Sequence, residues 1–282
     1  MNKLFLFSIT ITILILIAGL LYLLPETDDV ESKADISENS MTSSLSISTT
    51  AAICESFDVV EEEGKRACAG CPSYTGMSDL TESFILSNSI DGNFTGSVEE
   101  QKVFDTDGCE PHSNSFGGVI LLEKIESKWR KLFYQSGIRV NDCLKYEFEG
   151  KPDLLVCNES DQSQGQTYGV VSVLRFSPEK IQRRILLEWY VLEDMGGAEL
   201  SKIRKLDLND DGTMDLLLEF DTSGEFLRVL RENDATAIEH ENLLYLEYHF
   251  INEKFTEAET SRKTLKLLKD FVQPYTASET GD

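Results

Sequence analysis

The chain has 282 residues, with 50 acidic side chains against 26 basic ones and a formal net charge of −24. That balance excludes a nucleic-acid-binding protein, because a phosphate backbone demands a basic face. It suits a cation-rich exterior, where repulsion between copies also favours solubility.

Residues 4–24 carry no charge. The run exceeds the roughly 7 to 15 apolar residues of a signal-peptide core and is long enough to span a bilayer. Lys3 and the amino terminus precede it, and Glu26, Asp28, Asp29 and Glu31 follow, so the positive-inside rule places the bulk of the chain outside the cytoplasm. Ile17-Ala18-Gly19 is a poor small-x-small cleavage site and no early Cys offers a lipidation point. The segment 1–24 therefore predicts a single-pass signal anchor, with a secreted protein as the outcome if it is cleaved. Residues 25–52, acidic and then rich in Ser and Thr, predict a disordered stalk. Residues 53–274 suffice for one β-rich domain with its own core, and 275–282 read as a tail.

Six cysteines in an exported chain predict disulfides. Cys143 and Cys157 lie at equal distances from Gly150, in two strand-like segments that turn at Glu149-Gly150-Lys151-Pro152, so their sulfurs should face each other across a hairpin. Cys54, Cys68, Cys71 and Cys109 permit three pairings, and the sequence does not choose among them. Cys68-x-x-Cys71 also has the spacing of a redox dithiol, and together with Cys109-x-x-His112 that of a zinc ribbon. The first lacks βαβ surroundings and the second competes with disulfide formation in an oxidising compartment.

Between the cysteines, residues 57–69 with Glu61-Glu-Glu63 and Lys65-Arg66 read as helical. Residues 107–118 gather Gly, Pro, Asn and Ser, a disulfide-anchored turn with a binding loop as the alternative. Three hairpin units follow: 118–122 with 129–134, 169–174 with 185–190, and 243–248 with Phe255. Their tips, 125–127, 177–180 and 251–254, are polar. At the carboxyl end, residues 260–272 place Leu265, Leu268, Phe271 and Val272 on one helical face.

Asp207-Leu-Asn209-Asp-Asp211-Gly212-Thr213-Met-Asp215-Leu216 is the most specific motif. Oxygen-bearing side chains at positions 1, 3, 5 and 9 around a Gly at position 6 wrap a hard cation. An EF-hand would place a bidentate Glu at position 12, where this chain has Leu218. Alternation before the loop and the apolar run after it join two strands rather than two helices. The stretch resembles the FG-GAP or VCBS type of calcium-binding repeat found in integrin-α-like β-propellers. The resemblance implies calcium held by the side chains of Asp207, Asn209, Asp211 and Asp215 and by the Thr213 carbonyl. A weaker copy surrounds Gly150, with Asp153 in the place of Asp215, but Lys145 and Glu147 stand where Asp207 and Asn209 would be. It should keep the turn and not the ion.

The expected fold is mainly β: three propeller-blade-like antiparallel repeats, fewer than a closed propeller needs, short terminal helices and the transmembrane helix. Only His112, His240 and His249 are present, and no Ser or Cys nucleophile sits in a recognisable frame, so no catalytic residue is assigned. Asn93-Phe-Thr95 and Asn158-Glu-Ser160 are glycosylation sequons. The functional expectation is a membrane-tethered, calcium-stabilised, non-enzymatic binding module for a protein or glycan ligand. The alternative is an extracytoplasmic enzyme, either a thiol-disulfide oxidoreductase through Cys68 and Cys71 or a glycan-directed hydrolase.

Overall fold

A strand that is apolar on both faces needs a layer on each side, and the central strands of this chain carry that pattern. The computed structural model describes residues 47–62, 64–77, 82–109, 117–140, 142–163, 166–192, 196–233 and 242–276. The anchor, the stalk as far as residue 46 and the last residues of the tail lie outside them. All of them belong to one compact unit, Ser43–Asp282.

The chain enters through helix α1 (Ile47–Cys54) and a first antiparallel sheet: β1 (Val59–Glu62), β2 (Lys65–Cys68), β3 (Phe84–Gly92), β4 (Gln101–Asp107), β5 (Gly118–Ile125) and β6 (Lys128–Ser136). A second antiparallel sheet follows: β7 (Cys143–Phe148), β8 (Lys151–Ser163), β9 (Gln166–Phe176), β10 (Ile181–Leu192), β11 (Gly196–Leu206), β12 (Asp215–Thr222), β13 (Leu243–Ile251) and β14 (Lys254–Glu257). Helix α2 (Gly224–Glu232) precedes β13 and helix α3 (Glu259–Thr276) follows β14. Within each sheet consecutive strands pair in chain order, and only β6 and β7 are chain neighbours without a shared ladder, so both sheets are plain meanders.

Alternation distributes the core. On β5, Val119 and Leu121 point toward the second sheet, and Ile120 and Leu122 toward α1 and the cysteines. On β8 and β9, Leu155, Cys157 and Leu174 meet the first sheet, while Val156, Val171 and Val173 join the large cluster that also holds Leu265 and Leu268 of α3. The order of layers is α1 with two disulfides, first sheet, second sheet, then α2 and α3. Gly169 faces Trp189 across β9 and β10, and a Cβ there would lie 2.2 Å from the indole ring. The glycine leaves the room that this fully buried Trp occupies.

The second sheet is rolled. Register shifts between Ile185 and Leu187 and between Leu200 and Lys202 mark bulges, which sharpen local twist. As a result β7 and the β13–β14 hairpin approach each other through aromatic rings: Tyr146 and Phe148 on one side, Phe250 and Phe255 on the other, with centroids 5.1 to 6.2 Å apart across the seam. The seam is made of side chains, and the barrel is not closed.

The three expected hairpins are present as β5–β6, β9–β10 and β13–β14. They are not separate blades, because the second and third are parts of one eight-stranded sheet. Two further expectations are corrected. Residues 57–69 form the β1–β2 hairpin, in which Glu61 opposes Arg66 and Glu62 opposes Lys65; such opposite charges stabilise strands across a ladder as they do a helix at a spacing of four. Residues 47–52, assigned to the stalk, belong to α1, where Thr49 and Thr50 are buried.

Candidate metal site and its surroundings

The candidate calcium loop runs from the end of β11 to the start of β12. Asp210 and Gly212 take positive φ values of 58° and 81°, which coil the loop tightly; Gly212 meets that requirement without strain. Three predicted ligands converge on the loop's own amides. Asp207 accepts from the Asp211 amide at 3.2 Å and the Gly212 amide at 2.8 Å. Asn209 Oδ1 accepts from the Asp211 amide at 3.1 Å, and Asp211 Oδ1 from the Thr213 amide at 2.7 Å. The Thr213 amide holds the Asp211 carboxyl below its ordinary value, which favours its charged form.

Asp215 is different. It is fully buried, and its carboxylate joins three segments: Oδ2 accepts from the Leu208 amide at 3.3 Å, Oδ1 from the Phe250 amide at 2.7 Å, and His249 Nδ1 lies 3.0 Å from Oδ2. Its backbone carbonyl accepts the Tyr146 hydroxyl at 2.9 Å. Asp215 therefore ties the loop to β13 and to β7 at the aromatic seam. His249 was not foreseen. The sequence signal was the alternation of β13, which buries Leu244, Leu246 and Tyr248 and leaves His249 on the other face, opposite the residue before Leu216.

Among the described residues no group of three or more His, Cys, Asp or Glu is gathered as a metal cluster. The donor set of the loop is nevertheless all oxygen: three carboxylates and the Asn209 amide. Such hard donors suit calcium, which would replace the loop amides as their partner. In the earlier copy Gly150 turns β7 into β8 with φ 70°, the turn that its residues predict, and Lys145 and Glu147 pair with each other at 2.8 Å. Asp153 repeats the role of Asp215, accepting the Asn93 amide at 2.7 Å and so pinning β8 to the turn after β3.

The six cysteines form Cys54–Cys68, Cys71–Cys109 and Cys143–Cys157, leaving no free thiol. Cys143 and Cys157 are direct partners in the β7–β8 register, as the hairpin reading required. Cys68 and Cys71 are buried in different bridges, so neither a dithiol between them nor a zinc ribbon is assembled here. In the tract 107–118, Cys109 is anchored and residues 110–116, with His112, lie outside the described residues. His240 does too. Of the sequons, Asn93 is exposed in a turn, whereas Asn158 sits within β8 with its side chain engaged by Trp189 and Asp142.

One polar cluster had no sequence signal. Between the sheets, the Arg139 amide donates to Glu159 at 3.3 Å and the Val140 amide to Asp105 at 2.9 Å. Ser172 and Arg183 also hold Glu159, the latter at 3.0 Å. Two fully buried carboxylates thus clamp the connection from β6 to β7, a structural task. Comparison of the chain with protein-family models, curated proteins and solved structures finds no match, so any assignment of function rests on the loop and the surfaces of the fold itself.

Proposed function

We propose that the chain is a membrane-tethered extracytoplasmic binding module whose rolled sheet is stabilised by calcium at the Asp207–Asp215 loop, an FG-GAP/VCBS-like hairpin. The observation that carries this reading is the junction at Asp215: one end of the ligand set is free to coil around an ion while the other is locked into β13 and the seam. Asp207, Asn209, Asp211 and Asp215 would hold the ion with the Thr213 carbonyl, and Asp215, through its bonds to β13, would also transmit the order of the site to the sheet. The apolar run at residues 4–24 and three disulfides support an exterior location.

Calorimetric titration of the full-length chain in detergent with calcium tests the reading. The expected result is one saturable site with a Kd of about 0.1 to 1 mM, the range of extracellular modules, and a higher melting temperature. Asp211→Asn should weaken it at least tenfold. Absence of heat and of any thermal shift would reduce the motif to an acidic turn.

A further inference from the structure

In a chain with about twice as many acids as bases, many cations sit in ion pairs, among them Lys102, Lys124, Lys145 and Arg204. Arg175, Arg184 and Lys254 form no ion pair among the described residues, and all three line the same cleft of about 420 Å³ between the β9–β10 and β13–β14 hairpins. Register explains the convergence. Arg175 opposes Gln182 and Arg184 opposes Val173, which places Arg175, Gln182 and Arg184 on the inner face of the rolled sheet. Arg183 points to the other face and is spent on Glu159. Across the cleft, Asn252 and Glu253 occupy the turn with φ of 51° and 62°, and Lys254 follows them into the lining.

The one carboxylate of the lining is accounted for, since Glu253 is bridged to Lys151 at 2.6 Å. Arg175 gives one nitrogen to the Glu253 carbonyl at 2.6 Å and Arg184 one to the Phe255 carbonyl at 3.4 Å. These bonds orient two planar guanidinium forks and leave their other donors for an oxyanion. Gln182 and Asn252 add exposed amides that can serve hydroxyl groups. The apolar part of the lining is Val173 and Phe255, and Arg175 and Glu253 also border a separate recess of about 80 Å³ beside the stacked rings of Phe148 and Phe250. Cations, amides and an aromatic ring in a cavity of small-ligand size describe a site for a polar ring that carries a negative charge.

We propose that this mouth of the rolled sheet binds an acidic saccharide unit, its oxyanion held among Arg175, Arg184 and Lys254. The inference gives a ligand class to the binding module proposed above and rests on its exterior location, but not on its calcium. The test is calorimetry of the full-length chain in detergent with digalacturonate, galactobiose and sulfate, in calcium and in chelator.

Digalacturonate should bind saturably, galactobiose not at all, and sulfate at least tenfold more weakly. Arg184→Gln should cost at least tenfold in affinity. Gln182→Glu should do the same by placing a carboxylate opposite Arg175, at a melting temperature no lower than that of the wild type; Lys202→Gln, an exposed cation on β11, should leave binding unaltered. No saturable binding of digalacturonate, equal affinity in wild type and both cleft variants, or sulfate bound as tightly as the sugar would overturn the assignment. Sugar binding that persists in chelator while calcium gives no heat would overturn the calcium loop alone, and calcium binding without sugar binding would overturn the cleft alone.

Discussion

Asp105 illustrates what a single buried carboxylate costs and does. Burial pushes its carboxyl up to about 6, against smaller opposing contributions from the Val140 amide, Arg139 and Lys65. Its Oδ2 has no hydrogen-bond partner among the described residues. Because the folded-state value lies above the ordinary 3.8, the contribution to stability is full below that value and is lost as pH rises through about 6. Glu159 is raised by the same cause and adds in the same direction. Asp105→Asn keeps an oxygen for the Val140 amide and removes the charge, so it should stabilise the fold at pH 7 by about 1 to 3 kcal/mol and have little effect near pH 4. Urea denaturation at the two pH values checks this; an equal gain at both would show that charge burial is not the cause. No sequence reading could have singled out this residue, since 50 acidic side chains make any one of them uninformative until the linker is seen to fold over it.

Hairpins were legible where two signals agreed and illegible where one signal served two structures. Cys143 and Cys157 stood symmetrically about a Gly turn between apolar runs, and only a hairpin satisfies both facts. The charges of residues 61–66 fit a helix and a ladder alike, and nothing in that stretch announced that β2 would pair with β3 and that Cys68 would bond to Cys54. The bridges also differ in consequence. Closing a loop restricts the unfolded chain in proportion to the logarithm of its length. Cys71–Cys109 spans 38 residues and Cys143–Cys157 spans 14. Replacing the first pair by serines should cost about 4 kcal/mol and the second about 3 kcal/mol. Denaturant midpoints of the two double variants give the order, and a reversed order would point to native packing of the β7–β8 sulfurs as the larger contribution.

The sheets as wholes were hidden because a meander writes the same alternation in every strand and does not say where one sheet ends. The division falls at residues 137–142, where the chain crosses between layers, and the roll comes from bulges that shift a register by one residue without a compositional mark. The acidic loop with its Gly at position 6 was visible, but the burial of Asp215 and its bond to Phe250 were not, since they depend on β13 lying beside β12.

The meander itself governs how such a molecule is made. Within a sheet each strand needs only the strand before it, so the ladders can be added in the order in which the chain is synthesised, with short loops to close through most of β7 to β12. The contacts between β7 and the β13–β14 hairpin, which join distant parts of the chain, are left until the end. Pulse-labelled hydrogen exchange during refolding of the oxidised chain should therefore protect β8, β9 and β10 before β13 and β14. Simultaneous protection would mean that the seam forms first. On the expected schedule the last hairpin to settle is also the one that carries Asn252 and Lys254, so the protein acquires its basic mouth only when the rest of its architecture is already in place.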